Sequence, residues 1–478
     1  MNRPILRLYG LVVVLFALLV GFTSRWTIFQ ASALRANSLN RRTEERQVRV
    51  DRGRILAADG SVLAHSVPGS EGTFERRYPS GEEFANAIGY SYQDLSKTGL
   101  ERYRNAPLEG LAPSGLQAIL DQLQGASDRG DEVVTTLDPR AQRTAIAALG
   151  GHEGAVVALD PRTGAVRVMV SAPSFDPNAM RSPATAAKVT RAGGSPLVNR
   201  ATEYGYAPGS TFKIVTATAA FETGAFTPSS TLSGRDGIAV SGVPLHNDQH
   251  ESFGQLTLTA ALAKSVNTVW AQVAERVGKQ TLARYMGRFG FNALPQLDYP
   301  AGEMTPSGPY DERGRLLAPT SPQIDVGRMG IGQDKLRVTP LQMAEVAATV
   351  ADHGRLMAPH LTNRIVNPEG QTIETIAPRV QSVVMKPATA AAITTMMEAV
   401  VNEGTGTPAQ IPGVQVAGKT GTAETEVGTA LNNVWFIAFA PAANPTVAIA
   451  VTLKGVPGYG AAYAAPVAKQ VMEVLLHD

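Results

Sequence analysis

The chain has 478 residues, of which 44% are hydrophobic and 18% charged, a composition of folded domains rather than disorder. That length exceeds one compact core, so two or three domains are expected, and 43 basic against 41 acidic residues leave a net charge of +2 with no basic, aromatic-rich footprint for nucleic acid. Cysteine is absent, which excludes a thiol nucleophile, a thiolate metal site and disulfides without fixing the compartment.

Arg3 and Arg7 precede an uncharged, strongly apolar stretch from Leu8 to Ser24. As a helix it reaches roughly 26 Å, enough for a thin bilayer. The leading arginines favour a cytoplasmic N-terminus, although Arg25 on the far side weakens that signal. Ala31-Ser32-Ala33 has the form of a signal-peptide cleavage site but lies well past the apolar run. An uncleaved single-pass anchor is therefore expected, with the remainder as one ectodomain. Residues 34–49 are polar and basic and read as a juxtamembrane stalk. Asp59-Gly60 between apolar stretches reads as a tight hairpin turn. Mixed structure is expected from Tyr78 to Tyr103 and a short helix from Leu116 to Leu123.

A new unit begins near Gly154, which divides the chain into 1–33, 34–153 and 154–478. Ala155–Leu159 and Ala165–Val170 flank the turn Asp160-Pro161-Arg162-Thr163-Gly164 and read as an antiparallel hairpin. Ser171 to Tyr206 is rich in Pro and Asn and is expected to be irregular. Helices are expected over Ser210–Thr223, Leu258–Val277, Pro340–Ala351 and Pro387–Val401, strands over Val414–Lys419, Val434–Ala440 and Thr446–Leu453, and a closing helix over Ala464–Leu476. Strands first, helices between and strands last give an α+β domain whose sheet joins distant sequence.

Three short polar motifs fall in order along this unit: Ser210-Thr211-Phe212-Lys213, Ser265-Val266-Asn267 and Lys419-Thr420-Gly421. After the Pro208-Gly209 break, Ser210 and Lys213 share one face of a starting helix, where the helix N-terminus favours negative charge at the hydroxyl. A serine is a poor nucleophile until a base takes its proton, and a lysine serves as that base only when burial and neighbouring cations lower its pKa. Ser265 and Asn267 interrupt a mostly apolar helix and need partners if buried. Lys419 closes a strand whose backbone could pair with an extended peptide, and Gly421 would permit close approach. Each motif alone also fits an ordinary surface, and Lys97-Thr98-Gly99 and Ser38-Leu39-Asn40 repeat two of them elsewhere. Their order, in these helix and strand contexts, carries the reading. His246 and His250 stand four apart, but Asn247-Asp248-Gln249 between them reads as a loop, and no metal site is expected. Gly404-Thr405-Gly406 lacks a phosphate-loop ending and reads as a turn.

Together with Arg52-Gly53-Arg54-Ile55, Thr98-Gly99-Leu100-Glu101, Asn199-Arg200-Ala201, Gly332-Gln333, Thr339-Pro340-Leu341 and Gly418–Glu424, these motifs resemble class B (monofunctional) penicillin-binding proteins of the actinobacterial penicillin-binding protein A type, over nearly the whole chain. The resemblance implies a membrane anchor, an elongated mixed pedestal and an extracytoplasmic transpeptidase domain with a five-stranded antiparallel sheet flanked by helices. It implies cross-linking of peptidoglycan stem peptides ending in D-Ala-D-Ala, in cell-wall growth or division, beside other cell-wall synthesis proteins and without a cofactor. β-Lactams would acylate the same serine. By the same resemblance Ser210 is the nucleophile, Lys213 the base and Ser265 a proton shuttle. Asn267, Lys419, Thr420, Gly421 and Thr422 bind substrate, and the backbone N–H groups of Ser210 and Thr422 form the oxyanion hole. About a hundred residues between stalk and Gly154 are too few for a glycosyltransferase domain of ordinary size. The rival readings are a hydrolase (a D,D-carboxypeptidase or β-lactamase) and a β-lactam-binding scaffold or sensor without turnover.

Overall fold

The computed structural model describes residues 3–25, 48–92, 95–110, 129–424 and 431–477. Most of the expected stalk and the helix expected over 116–123 lie outside the described residues.

The apolar N-terminal stretch forms a helix, Arg3–Ser24, with large hydrophobic side chains such as Leu11, Phe16 and Phe22 exposed. It is long and apolar enough to cross a membrane.

The next region centres on a six-stranded sheet. Its spatial order is Thr372–Thr375, Thr362–Val366, Glu132–Thr135, Ile55–Leu56, Val62–Pro68 and Phe74–Arg77. Ile55–Leu56 and Val62–Pro68 pair antiparallel across the Asp59-Gly60 turn, where Gly60 has φ of 85°. Ile55–Leu56 runs parallel to Glu132–Thr135, and two strands far downstream, at Thr362–Val366 and Thr372–Thr375, extend the same sheet. Beside it, Glu101 is fully buried between two arginines. Its carboxylate accepts Arg52 Nε at 2.7 Å, Arg76 Nε at 2.7 Å and the Tyr78 hydroxyl at 3.2 Å. Burial alone would raise the Glu101 pKa, but the two guanidiniums hold it below the usual value.

The second sheet is five-stranded and antiparallel: Ala417–Glu424, Asn432–Ala440, Val447–Val456, Gly154–Leu159 and Val166–Ala172. Its central strands are buried on both faces, which is why they read as continuous apolar runs rather than alternating ones. Along Asn432–Ala440, Val434, Phe436 and Ala438 pack with Ala464, Ala468 and Val471 of the helix Gly460–Leu476. Trp435, Ile437 and Phe439 point the other way, into the core that holds Leu341, Ala344 and Val346 of the helix Pro340–Ala351. Thr339 caps that helix by accepting the Gln342 N–H, with Pro340 in its first turn.

Four expectations need correction. The segment 171–206 is not irregular throughout: Ser182 caps a helix at Pro183–Arg191. The helix expected from Ser210 opens with a 3₁₀ turn, Gly209–Phe212, before the α-helix Lys213–Glu222. The helix expected over 258–277 is two helices, Leu258–Ala263 and Asn267–Val277, broken at Ser265, whose φ is +58°. The strand expected to end at Lys419 begins at Ala417 and runs to Glu424, so Lys419-Thr420-Gly421 lies inside it.

Candidate active site

The three motifs meet at one cleft of about 710 Å³, lined by Ser210, Ser265, Asn267, Thr420, Gly421 and Thr422 among others. Lys213 and Lys419 lie just beneath it, each 0% exposed.

Ser210 is presented by the 3₁₀ turn and is half-buried. Two close backbone approaches seat this turn. Gly209, with φ of 51°, lies so near the Lys-Thr-Gly strand that a Cβ there would meet Thr422 O at 2.5 Å. Gly332, with φ of 81°, sits against Gly209 and accepts its N–H at 3.0 Å. A side chain on either would displace the turn that presents Ser210. Gly421 plays the same part on the strand side, where a Cβ would meet Pro208 O at 2.7 Å.

The break between the two helices places the second motif. At Ser265 the chain turns left-handed, and Asn267 opens the next helix. Lys213 Nζ, arriving from the first turn of its own helix, donates to Ser265 O at 2.7 Å, Asn267 Oδ1 at 2.8 Å and Ser265 Oγ at 3.3 Å. Lys419 Nζ donates to the same Ser265 Oγ at 2.9 Å and to Thr420 O at 2.9 Å. The Ser265 hydroxyl thus stands between two buried amines. Among the described residues, Lys213 Nζ makes no hydrogen bond to Ser210 Oγ; such catalytic contacts often tighten only when substrate is in place.

Two amines without a carboxylate between them cannot both hold a proton cheaply in a buried site. Burial, and then the charge of Lys419, push the Lys213 pKa well below the usual lysine value, with Asp248 opposing weakly. Burial pushes Lys419 down to about 7.

Among the described residues, the strand Ala417–Glu424 is an edge of its sheet, with Asn432–Ala440 as its one ladder partner. Its other edge is available to an extended peptide. Thr405 Oγ1 lies 2.6 Å from Thr420 Oγ1, and Thr405 lines the cleft. Its sequence, read only as a turn, carried no sign of this contact. Asp248 and Tyr459, joined by a hydroxyl-to-carboxylate hydrogen bond of 3.3 Å, also line the cleft, and no motif in the sequence marks them. No motif spacing links residues so far apart. The second Lys-Thr-Gly lies away from this cleft: Lys97 pairs with Glu109 at 3.1 Å.

Comparison with known proteins bears on the family of the chain. Residues 154–473 match the penicillin binding protein transpeptidase domain, and residues 52–133 match the penicillin binding protein A dimerisation domain. The chain is 34% identical over 502 residues to the peptidoglycan D,D-transpeptidase PbpA of Mycolicibacterium smegmatis, covering 100% of both. It is 34% identical over 507 residues to the PbpA of Mycobacterium tuberculosis, covering 100% of this chain and 99% of that one. A solved structure of penicillin-binding protein A from M. tuberculosis, as a ceftriaxone acyl-enzyme complex, superposes with a TM-score of 0.80 at 33% identity, over 90% of this chain and 99% of that one. The ordered motifs, the five-stranded sheet and these matches have one meaning: the chain belongs to the penicillin-binding protein transpeptidase family.

Proposed function

We propose that this protein is a serine-type peptidoglycan D,D-transpeptidase, acylated and inhibited by β-lactams. The observation that carries the residue assignment is the convergence of two buried lysines on Ser265 Oγ beside the turn that presents Ser210.

In this reading a stem peptide adds to the free edge of Ala417–Glu424, with its terminal carboxylate at Lys419, Thr420 and Thr422. Gly421 leaves room for its backbone, and Asn267 donates to a substrate amide. Neutral Lys213 takes the Ser210 Oγ proton as that oxygen attacks the penultimate D-Ala carbonyl. The tetrahedral oxyanion is held by the N–H groups of Ser210 and Thr422, a reading that the close approach of Gly209 to Thr422 supports. The proton passes through Ser265 to the departing D-Ala amine. An acceptor amine then attacks the Ser210 ester, loses its proton along the same route and frees Ser210, leaving one new amide bond. The helix Arg3–Ser24, preceded by basic residues, supports a single-pass anchor in the cytoplasmic membrane with the catalytic domain on the outer side. Other cell-wall synthesis proteins are its natural neighbours there. The three-part division at 1–33, 34–153 and 154–478 remains the proposed domain plan.

Partition of the acyl-enzyme tests the reaction. The purified full chain, given a D-Ala-D-Ala-ended donor and an amine acceptor, is expected to release D-Ala and form amide product in proportion to acceptor. Hydrolysis alone at every acceptor concentration would make it a D,D-carboxypeptidase, and no D-Ala release at all would make it a scaffold.

A further inference from the structure

His246 and His250, which the chemistry above does not use, line one wall of the cleft, and Asp236 lies against both of them. Asp236 precedes and His246 follows a short antiparallel hairpin, Ile238–Val240 with Val243–Leu245, in which Ile238 faces Leu245. The hairpin brings its two flanks together. His250 returns to the same point through a tight turn in which Gln249 and His250 have φ of 50° and 56°, left-handed values that non-glycine residues adopt at a cost.

The three ligand-type atoms form a near-equilateral triangle. Asp236 Oδ2 lies 2.9 Å from His246 Nδ1 and 3.2 Å from His250 Nδ1, and the two Nδ1 atoms are 3.1 Å apart. Asp236 is oriented from behind: its Oδ1 accepts the Asn247 N–H at 2.7 Å, and its own N–H donates to Ser252 Oγ at 3.2 Å.

Hydrogen bonding alone leaves this triangle frustrated. Each Nδ1 is either a donor or an acceptor. If both carry hydrogen and donate to the Asp236 carboxylate, two N–H groups face each other. If one lacks hydrogen, its lone pair faces the carboxylate oxygen. A single divalent cation accepts a lone pair from all three corners. Tetrahedral zinc with bonds of 2.0–2.1 Å sets its ligand atoms about 3.3 Å apart, close to the three separations observed. Two imidazoles and a carboxylate are a zinc donor set. The His246 and His250 side chains, 47% and 73% exposed, leave solvent access for a water as fourth ligand.

We infer that Asp236, His246 and His250 form a zinc-binding site that fixes the cleft wall around Asn267. The link is direct: Asn267 Nδ2 donates to His246 O at 3.2 Å, and Asn247 Oδ1 accepts the Thr268 N–H at 3.0 Å. Metal at the histidines therefore holds the segment against which the Asn267 amide is set. The site does not depend on the proposed reaction.

The test uses the untagged full chain in detergent, stripped with chelator and titrated with Zn²⁺ alone by calorimetry and elemental analysis. The absence of cysteine removes thiolate competitors for the metal. One equivalent is expected to bind and to raise the melting temperature. His250→Ala, and Asp236→Asn, which keeps an acceptor for Asn247, are expected to weaken binding at least about 100-fold, since even groups behind the ligands are worth 10–100-fold. Both variants should melt like the metal-stripped wild type. Sub-stoichiometric binding by wild type, or unchanged binding by both variants, would overturn the site.

Discussion

Ser265 Oγ accepts from Lys419 and lies within 3.3 Å of Lys213 Nζ, and neither lysine has a carboxylate partner among the described residues. This arrangement gives the site its pH dependence. Lys213 works as a base only when neutral, so acylation efficiency should rise as pH climbs through its lowered pKa. Under the proposed function Lys419 binds the substrate carboxylate and must be charged to do so, and its value near 7 makes efficiency fall as pH climbs further. The two titrate as a pair, and the profile of kcat/KM for a peptide donor should be a bell. A profile that rises without turning up to pH 9 would remove Lys419 from carboxylate binding. The same lysines bind protons more readily in the unfolded chain, so stability should rise with pH between their lowered values and about 10.4. The identities of these residues were legible in the sequence from the ordered motifs. Their lowered pKa values were legible only as a requirement, because the burial of Lys213 and Lys419 depends on segments far apart in the chain, such as the one that carries Ser265 and Asn267.

The break at Ser265 divides what periodicity presents as one element. Leu258, Ala261, Leu262, Val269 and Trp270 suggested one continuous helix, and no Gly or Pro marked the interruption. Three residues, 264–266, separate the two helices, nearly one turn of 3.6, so the apolar faces stay roughly aligned and periodicity conceals the gap. The left-handed φ at Ser265 aims its hydroxyl between the lysines and carries strain. Ser265→Gly and Ser265→Ala both remove the hydroxyl, and both should slow acylation by about 100-fold or more. The glycine variant should be the more stable of the two by about 1 kcal/mol, because only glycine enters that conformation freely. Equal stability would deny the strain, and wild-type acylation by either would deny the shuttle. The Lys-Thr-Gly strand was misplaced for a related reason: Gly418 and Gly421 weaken a strand pattern in sequence, yet they are what lets Phe436 and the Ser210 turn pack close to the strand.

Across the whole molecule, distant segments share sheets. Thr362–Val366 and Thr372–Thr375 join strands from the first third of the chain, and Gly154–Leu159 pairs with Val447–Val456. The α+β class and most elements of the second sheet could be read from composition and runs, but such pairings carry no local signal. Nor does the role of Arg52 and Glu101, which the sequence offered only as features of a resemblance. The structure joins them with Arg76 in a buried network. Glu101→Gln takes the carboxylate from both buried guanidiniums, leaving Arg52 its ion pair with Glu109 at 3.4 Å and Arg76 no carboxylate partner among the described residues, and should destabilise the protein by about 3 kcal/mol at neutral pH. Because the arginines hold the Glu101 pKa below its usual value, its contribution is present above the unfolded value of about 4.3 and is lost as pH falls through the folded one. The gap in melting temperature between wild type and variant should therefore narrow toward acid; a gap that is small at pH 7 would show the network to be dispensable.

In the proposed mechanism Ser210 is the acylated nucleophile of a cleft assembled from three distant motifs. Mass spectrometry of the purified chain after β-lactam treatment tests it most directly. One adduct of intact β-lactam mass is expected, mapped to Ser210 and absent from Ser210→Ala. An adduct on another residue, or undiminished labelling of the alanine variant, would contradict it.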